Sequence, residues 1–318
     1  MASKVPPAAV GPPRITVVMP VYNGAVTIGR ALDSVLAQIY PAHEIIVIDD
    51  GSNDTTGEIV QHYGQRVRYV RQENAGPSAA RNRGVDLATG DWVAFLDADD
   101  WYYPDRLALH SQMIIGHPDL DFLIGNFEYR DAEEQFLRTS MSDTELGKQL
   151  VARLGEAGTT VIDATDIGRY IGEQFSDTRT LTLPRQTFID LGGFPPGLKI
   201  CEDVVFLIRL CARSNRVGVT CKPTAVYCVH DAGLIRSDRY RAQTETVRGL
   251  MTLAGEMGAA PLPVRQAWIA LVKRAHLNLA YYLAKEGRSS EARRCIVSSF
   301  RFKPALSDLK HLASLLRG

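Results

Sequence analysis

Gly90-Asp91-Trp92-Val93-Ala94-Phe95-Leu96-Asp97-Ala98-Asp99-Asp100 sets an apolar run of strand length against three carboxylates at its end. A buried strand normally ends in turn residues, and like charges crowded at its tip raise the free energy unless something positive sits beside them. Two readings compete. In one, Asp99 or Asp100 caps a helix that begins near Pro104, since Asp is a favoured N-cap and Pro a favoured first-turn residue. In the other, Asp97 and Asp99 offer hard oxygen ligands at alternate positions to Mg2+ or Mn2+, which keeps sites open for the phosphate oxygens of a ligand. Capping accounts for one carboxylate; a cation accounts for the set.

Upstream, strands and helices alternate. Strands are predicted over Ile15 to Met19, Glu44 to Asp49, Val67 to Arg71 and Asp91 to Leu96; helices over Val26 to Gln38, Asp54 to Tyr63 and Pro77 to Ala88. Continuous β-branched strands separated by helices of this length mean an α/β protein with a mostly parallel sheet covered on both faces. Ligands of such sheets bind at the carboxyl ends of the strands, where this chain puts Pro20-Val21-Tyr22-Asn23, Asp49-Asp50-Gly51-Ser52 and Asp97-Ala98-Asp99. Neither G-x-G-x-x-G nor G-x-x-x-x-G-K-[ST] follows the first strand, so dinucleotide binding is disfavoured and phosphates would be held by a metal. Asp-Gly is a turn signal and Asp54 a plausible N-cap, yet one of the paired aspartates has no turn duty, and Asp50 suits the imide N–H of uracil.

Beyond Tyr103, helices are predicted over Pro104 to Gly116 and Asp203 to Arg213, a helical turn over Gln186 to Leu191, and strands over Asp121 to Tyr129, Leu181 to Pro184 and Val217 to Val229. Arg130 to Thr178 is polar and mixed and reads as a loop-rich insertion. From Arg239 only helices are expected, with Gln266 to Glu286 and Ser290 to Phe300 as a hairpin like a single tetratricopeptide unit. The domain reading is a mobile Pro-rich segment at 1–13, a catalytic domain at 14–238 (a nucleotide-binding half, 14–103, and an acceptor half, 104–238) and a helical region at 239–318.

The strand-PVYNG opening, IIVIDDGSNDTT, NAGPSAARNRG and DWVAFLDADD together resemble an inverting family 2 glycosyltransferase, densely over Ile15 to Tyr103 and again at Gly192-Gly193-Phe194 and Cys201-Glu202-Asp203. The resemblance implies the GT-A nucleotide-diphospho-sugar transferase fold with a C-terminal helical extension. It gives Pro20, Tyr22, Asn23, Asp50 and Arg81 to the donor nucleotide, Asp97 and Asp99 to metal and diphosphate, and Asp203 to the general base, with Glu202 positioning. His230 stands where the family often places a histidine near the metal, and Trp101 is an expected acceptor platform. The implied function is a metal-dependent (Mn2+ or Mg2+) transfer of one sugar from a nucleotide-diphosphate donor, UDP first, to a glycan or lipid-linked saccharide. A Q-x-x-R-W motif of processive synthases is absent. A nucleotidyltransferase, or a non-catalytic carbohydrate-binding protein on the same fold, is the alternative.

The chain has 318 residues, 45% hydrophobic and 23% charged, with zero formal net charge, which suits a globular enzyme and gives no reason to expect a nucleic-acid partner. Charge is uneven: from Arg239 onward 14 Lys and Arg face 5 Asp and Glu, so a tail of +9 balances −9 before it. That excess suits peripheral contact with anionic lipid or a merely solvated helical face. No apolar run approaches the ~20 residues of a membrane span and Met1 to Pro13 lacks a signal core, which predicts a cytoplasmic protein or one at the inner face of the cytoplasmic membrane. Five cysteines without a CxxC pair are expected to be reduced, four of them packed in helix and strand.

Overall fold

A computed structural model describes residues 11–154, 158–198, 200–229 and 238–302. The chain divides into two compact units, one of residues 1–163, 174–194 and 214–229, the other of 164–173, 195–213 and 230–318. The first ten residues of the expected mobile start lie outside the described residues.

The first unit is built on strands β1 (Ile15–Val21), β2 (Glu44–Asp49), β3 (Arg68–Arg71), β4 (Trp92–Phe95), β5 (Trp101–Tyr102), β6 (Phe122–Arg130), β7 (Phe136–Thr139), β8 (Thr159–Ile162), β9 (Thr182–Pro184) and β10 (Val217–Cys228). They form one sheet in the order β3-β2-β1-β4-β9-β6-β10-β5, with β7 added to β6 and β8 to β10. Along that main line β9 and β5 run against the others, which all point one way. Every residue of β1 is buried. Ile15, Val17, Met19 and Val21 face the same apolar cluster as Ile28, Ala31, Leu32 and Val35 of α1 (Ile28–Leu36). Val18, on the opposite face of the pleat, meets α3 (Pro77–Leu87) at Gly84. Helices α2 (Thr56–Gln61), α4 (Arg106–Gly116) and α7 (Arg185–Asp190) complete the crossovers near the predicted places.

Residues 130–178 correct the expectation of a loop-rich insertion: they hold β7, α5 (Glu145–Leu154), β8 and α6 (Ala164–Glu173). The short strands carry mostly exposed or half-buried side chains, so no apolar alternation announces them. Their order comes from pairing, β7 on β6 and β8 on β10. Beyond the β8 pairing, β10 changes register against β6 at Pro223, which has no N–H to give the ladder.

The second unit is helical: α6, α8 (Glu202–Ala212), α9 (Arg239–Thr252), α10 (Leu262–Lys285) and α11 (Ser289–Ser299). Leu279, Ala280 and Leu283 of α10 pack on Ala292 and Ile296 of α11, closing the expected hairpin around Gly287 at φ 76°. The indole of Trp268 donates to the Leu250 carbonyl at 2.9 Å. All five cysteines are free thiols. Among the described residues no helix is long and apolar enough to cross a membrane.

A Cβ on Gly84 would lie 2.2 Å from Val18 Cγ1, so α3 sits on β1 only because that side chain is absent. Gly84→Ala is expected to cost about 1–3 kcal/mol through overpacking, read as a lower denaturation midpoint, and Val18→Ala in the same chain should return most of the loss.

Candidate active site

The carboxyl ends of β1, β2 and β4 bring three loops to one edge of the sheet. Parallel register aligns Val21 with Asp49, and the Asp50 N–H reaches the Val21 carbonyl at 2.8 Å. The first two loops are laced together: Asn23 N–H donates to Ser52 Oγ (2.9 Å), Asn53 N–H to Asn23 Oδ1 (2.8 Å) and Gly24 N–H to Thr56 Oγ1 (2.9 Å). Asn23 holds φ 51°, a left-handed conformation that Asn tolerates better than most residues. Tyr22 beside it is 52% exposed, whereas Pro20 is buried within β1.

The two aspartates at the end of β2 divide their work. Asp49 takes the turn: its Oδ1 accepts the Ser52 N–H at 2.7 Å and its Oδ2 the Tyr69 hydroxyl. Asp50, also buried, accepts the Gln72 amide (2.7 Å), the Ala75 N–H (2.9 Å) and the Gly76 N–H (2.7 Å). Three of a carboxylate's roughly four lone-pair positions are thus used among the described residues. Gly76, at φ 88°, leads into α3, so Asp50 fixes the start of the helix that carries Arg81 and Asn82. Asn82 exchanges two hydrogen bonds with the Phe194 backbone, at 2.8 and 2.9 Å. Its Oδ1 would stand 2.6 Å from a Cβ at Gly193, which explains the Gly-Gly-Phe turn.

Arg81 and Asp97 meet directly, Nη2 to Oδ1 at 2.6 Å. Burial alone would raise the Asp97 carboxyl; the charges of Arg81 and Arg179 outweigh it and hold the group below its ordinary range. Asp97 and Asp99 remain half-buried, whereas Asp100 is fully buried. Neither Asp99 nor Asp100 caps the next helix, which begins after Asp105. Asp100 instead accepts Arg179 Nε at 2.8 Å and the Cys228 N–H at 3.1 Å. Burial pushes its carboxyl up, with Arg179 opposing and Asp99 and Asp97 adding to the rise.

Arg179 is a residue that no sequence pattern pointed to. Its guanidinium also pairs with Asp177 and lies over the rings of Tyr227 (4.2 Å to the centroid) and Phe127 (4.9 Å). Its carbonyl accepts two donors of the fully buried Arg106, at 3.2 and 3.1 Å. Trp101, the expected platform, carries the Arg30 guanidinium 3.9 Å from its ring centroid.

In the second unit, Glu202 and Asp203 open α8 after Cys201, whose φ of 72° is a strained choice for a residue with a Cβ. Burial, with Asp203 and Glu202 adding, pushes the Cys201 thiol up, away from nucleophile chemistry. Asp203 Oδ1 accepts the Val204 N–H at 2.8 Å, as a carboxylate in a first helical turn can. His230 lies outside the described residues.

Among the described residues no three His, Cys, Asp or Glu are grouped to hold a metal ion. Asp97 and Asp99 supply two hard oxygen donors, and Asp97 is held ionised; two carboxylates completed by ligand phosphates and water suit Mg2+ or Mn2+. Arg179→Met is expected to cost about 3–5 kcal/mol by stranding Asp100 in the interior, measured by denaturant unfolding, a loss that an exposed ion pair would not produce.

Known proteins resemble this chain in sequence and in fold. The family model described as glycosyl transferase family 2 matches residues 16–172. The succinoglycan biosynthesis protein ExoO of Rhizobium meliloti is 45% identical over 230 residues, 71% of this chain and 63% of ExoO. The chain spans from 19% to 66% of the length of the curated relatives it matches. A mannosyltransferase, PcManGT from Pyrobaculum calidifontis, solved with GDP-Man and Mn2+, aligns with a TM-score of 0.62 at 24% identity, over 98% of this chain and 81% of that one. S. aureus TarS 1-349, solved with UDP-GlcNAc, aligns at 0.60 and 21% identity, over 95% and 79%. At such identities the likeness is one of fold, the GT-A fold with helices following it. The nucleotidyltransferase reading finds no support in these matches. From the motif-bearing loops at the sheet edge, the family match over them and the identity to ExoO, residues 16–172 of the chain are a glycosyl transferase family 2 domain.

Proposed function

We propose that the protein transfers one sugar from a nucleotide-diphosphate donor, UDP-linked in the first instance, to a hydroxyl of a glycan or lipid-linked oligosaccharide, with inversion at the anomeric carbon. The observation that carries this reading is the single sheet edge on which Asp50 offers a carboxylate acceptor, Tyr22 presents a ring, and Asp97 beside Asp99 is held ionised by Arg81. The acceptor chemistry of Asp50 supports a uracil imide as its ligand. GDP-Man in PcManGT and UDP-GlcNAc in TarS support the broader class of nucleotide-sugar, and the succinoglycan role in ExoO's name supports a cell-surface polysaccharide acceptor.

In the proposed mechanism Tyr22 and Asp50 orient the nucleoside, and Arg81 adds positive charge near the diphosphate. Asp97 and Asp99 would hold Mn2+ or Mg2+, which when bound neutralises charge developing on the departing diphosphate. Asp203 takes the proton of the acceptor hydroxyl as its oxygen attacks the anomeric carbon. The bond from that carbon to the diphosphate oxygen breaks, and the nucleoside diphosphate leaves with the electron pair. Glu202 positions rather than reacts, and Trp101 borders the acceptor side.

Calorimetry with UDP, GDP and dTDP, each with Mn2+ and with chelator, should give metal-dependent binding of one nucleotide; binding of none would end the donor reading. Asp203→Asn is expected to lower turnover by about 10²- to 10⁴-fold while nucleotide binding survives. Asp99→Ala should instead weaken the metal-dependent part of nucleotide binding, and near-normal transfer by Asp203→Asn would remove the base assignment.

A further inference from the structure

Helix α1 lies between two loops of the proposed donor site, and its outward stripe is occupied by the segment that follows Asp97. Arg30, Ser34 and Gln38, spaced four residues apart, present one side of the helix and its C-terminal extension. Arg30 Nη2 donates to the Asp99 carbonyl at 3.0 Å, Ser34 Oγ accepts the Tyr102 N–H at 3.1 Å, and Gln38 Nε2 donates to the Tyr103 carbonyl at 2.7 Å. Residues 99–103 are therefore fastened to α1 at three points, and Arg30 is the fastening at the metal-candidate end.

Arg30 does more than the other two. Its guanidinium lies over Trp101, with Cζ 3.9 Å from the ring centroid, and its Nη1 meets Glu134 Oε1 at 2.6 Å. Glu134 sits at φ 61° on the tip of the β6–β7 hairpin, a tip built around Asp131, whose Oδ1 accepts the Gln135 N–H at 2.8 Å. One planar group thus joins the peptide of Asp99, the plane of Trp101 and the hairpin tip, while its own helix starts four residues after the Tyr22-Asn23-Gly24 loop. Lysine, with one point charge and no plane, cannot make all three contacts.

We infer that Arg30 is a positioning residue that sets the Asp99 side of the aspartate pair and locks Trp101 across it. The inference rests on the proposed glycosyl-transfer reading for its kinetic consequence, though not for its structural one. With the Asp99 peptide fixed, the Cα–Cβ bond leaves the backbone in one direction, so only the side-chain torsions are left to order when metal and diphosphate arrive. Arg30 itself touches neither substrate nor reacting atoms, so its loss should appear in donor affinity rather than in the chemical step.

The test compares wild type, Arg30→Ala and Arg30→Lys. Hydrogen exchange of peptides covering 97–103 and 131–135 reads the clamp without any ligand; Mn2+ binding with UDP reads the site; donor KM and kcat read the reaction. Arg30→Ala is expected to speed exchange in both peptides with the β1 and β2 amides unchanged. It should weaken Mn2+–UDP binding and raise donor KM by about 10-fold or more while kcat changes by less than about 2-fold, with Arg30→Lys intermediate. Unchanged exchange at 97–103 in Arg30→Ala overturns the inference, as does a fall in kcat at constant KM. If the wild type binds no nucleotide, the function proposed above fails, and the exchange result alone still decides whether Arg30 holds the turn.

Discussion

The ion pair between Arg179 and Asp100 is the constraint on which the carboxylate turn depends. Taking both charges out of water costs several kcal/mol per ion, a loss recovered only where geometry is good and every remaining donor and acceptor is met. Several partners contribute: Asp177 takes a second edge of the guanidinium, Phe127 and Tyr227 lie against it, the Cys228 N–H binds the other oxygen of Asp100, and Arg106 secures the Arg179 carbonyl. Asp100 thereby becomes a peg driven into the interior. The turn it anchors has Asp97 and Asp99 as its half-buried carboxylates, so three like charges in four residues are separated into one structural group and two available ones.

Much of this was legible in the chain. The β-branched runs of β1 and β2 and the apolar DWVAF segment could only be strands buried on both faces, and the loops after them carried the unusual residues. What could not be read was the identity of partners far along the chain. Asp100 and Arg179 are 79 positions apart, and nothing in Asp177-Thr178-Arg179 marks it as a counter-charge. The sequence left open which of Asp49 and Asp50 closed the turn, because both are chemically able to; only the position of Tyr69 and of the 72–76 loop decides it. Residues 130–178 resisted because short edge strands gain their order from the strand they join rather than from their own pattern.

The lacing of the first two loops bears on binding. A loop that must be ordered by its ligand spends part of the interaction free energy on that ordering, whereas Asn23, Ser52 and Thr56 have already fixed one another. Asp50 extends the same stiffness through Gly76 into α3 and so to Arg81. Nucleoside recognition and the charge beside Asp97 are therefore parts of one pre-set frame.

The helical unit also carries a consequence for synthesis. Helix α6 packs on α10, with Gly168 so close to Pro263 that a Cβ there would stand 2.7 Å away. The two helices are separated by roughly ninety residues, so at the roughly 5–20 residues per second of translation α6 leaves the ribosome on the order of ten seconds before its partner exists. Over that interval the apolar side formed by Ile167, Tyr170 and Ile171 has no α10 to cover it.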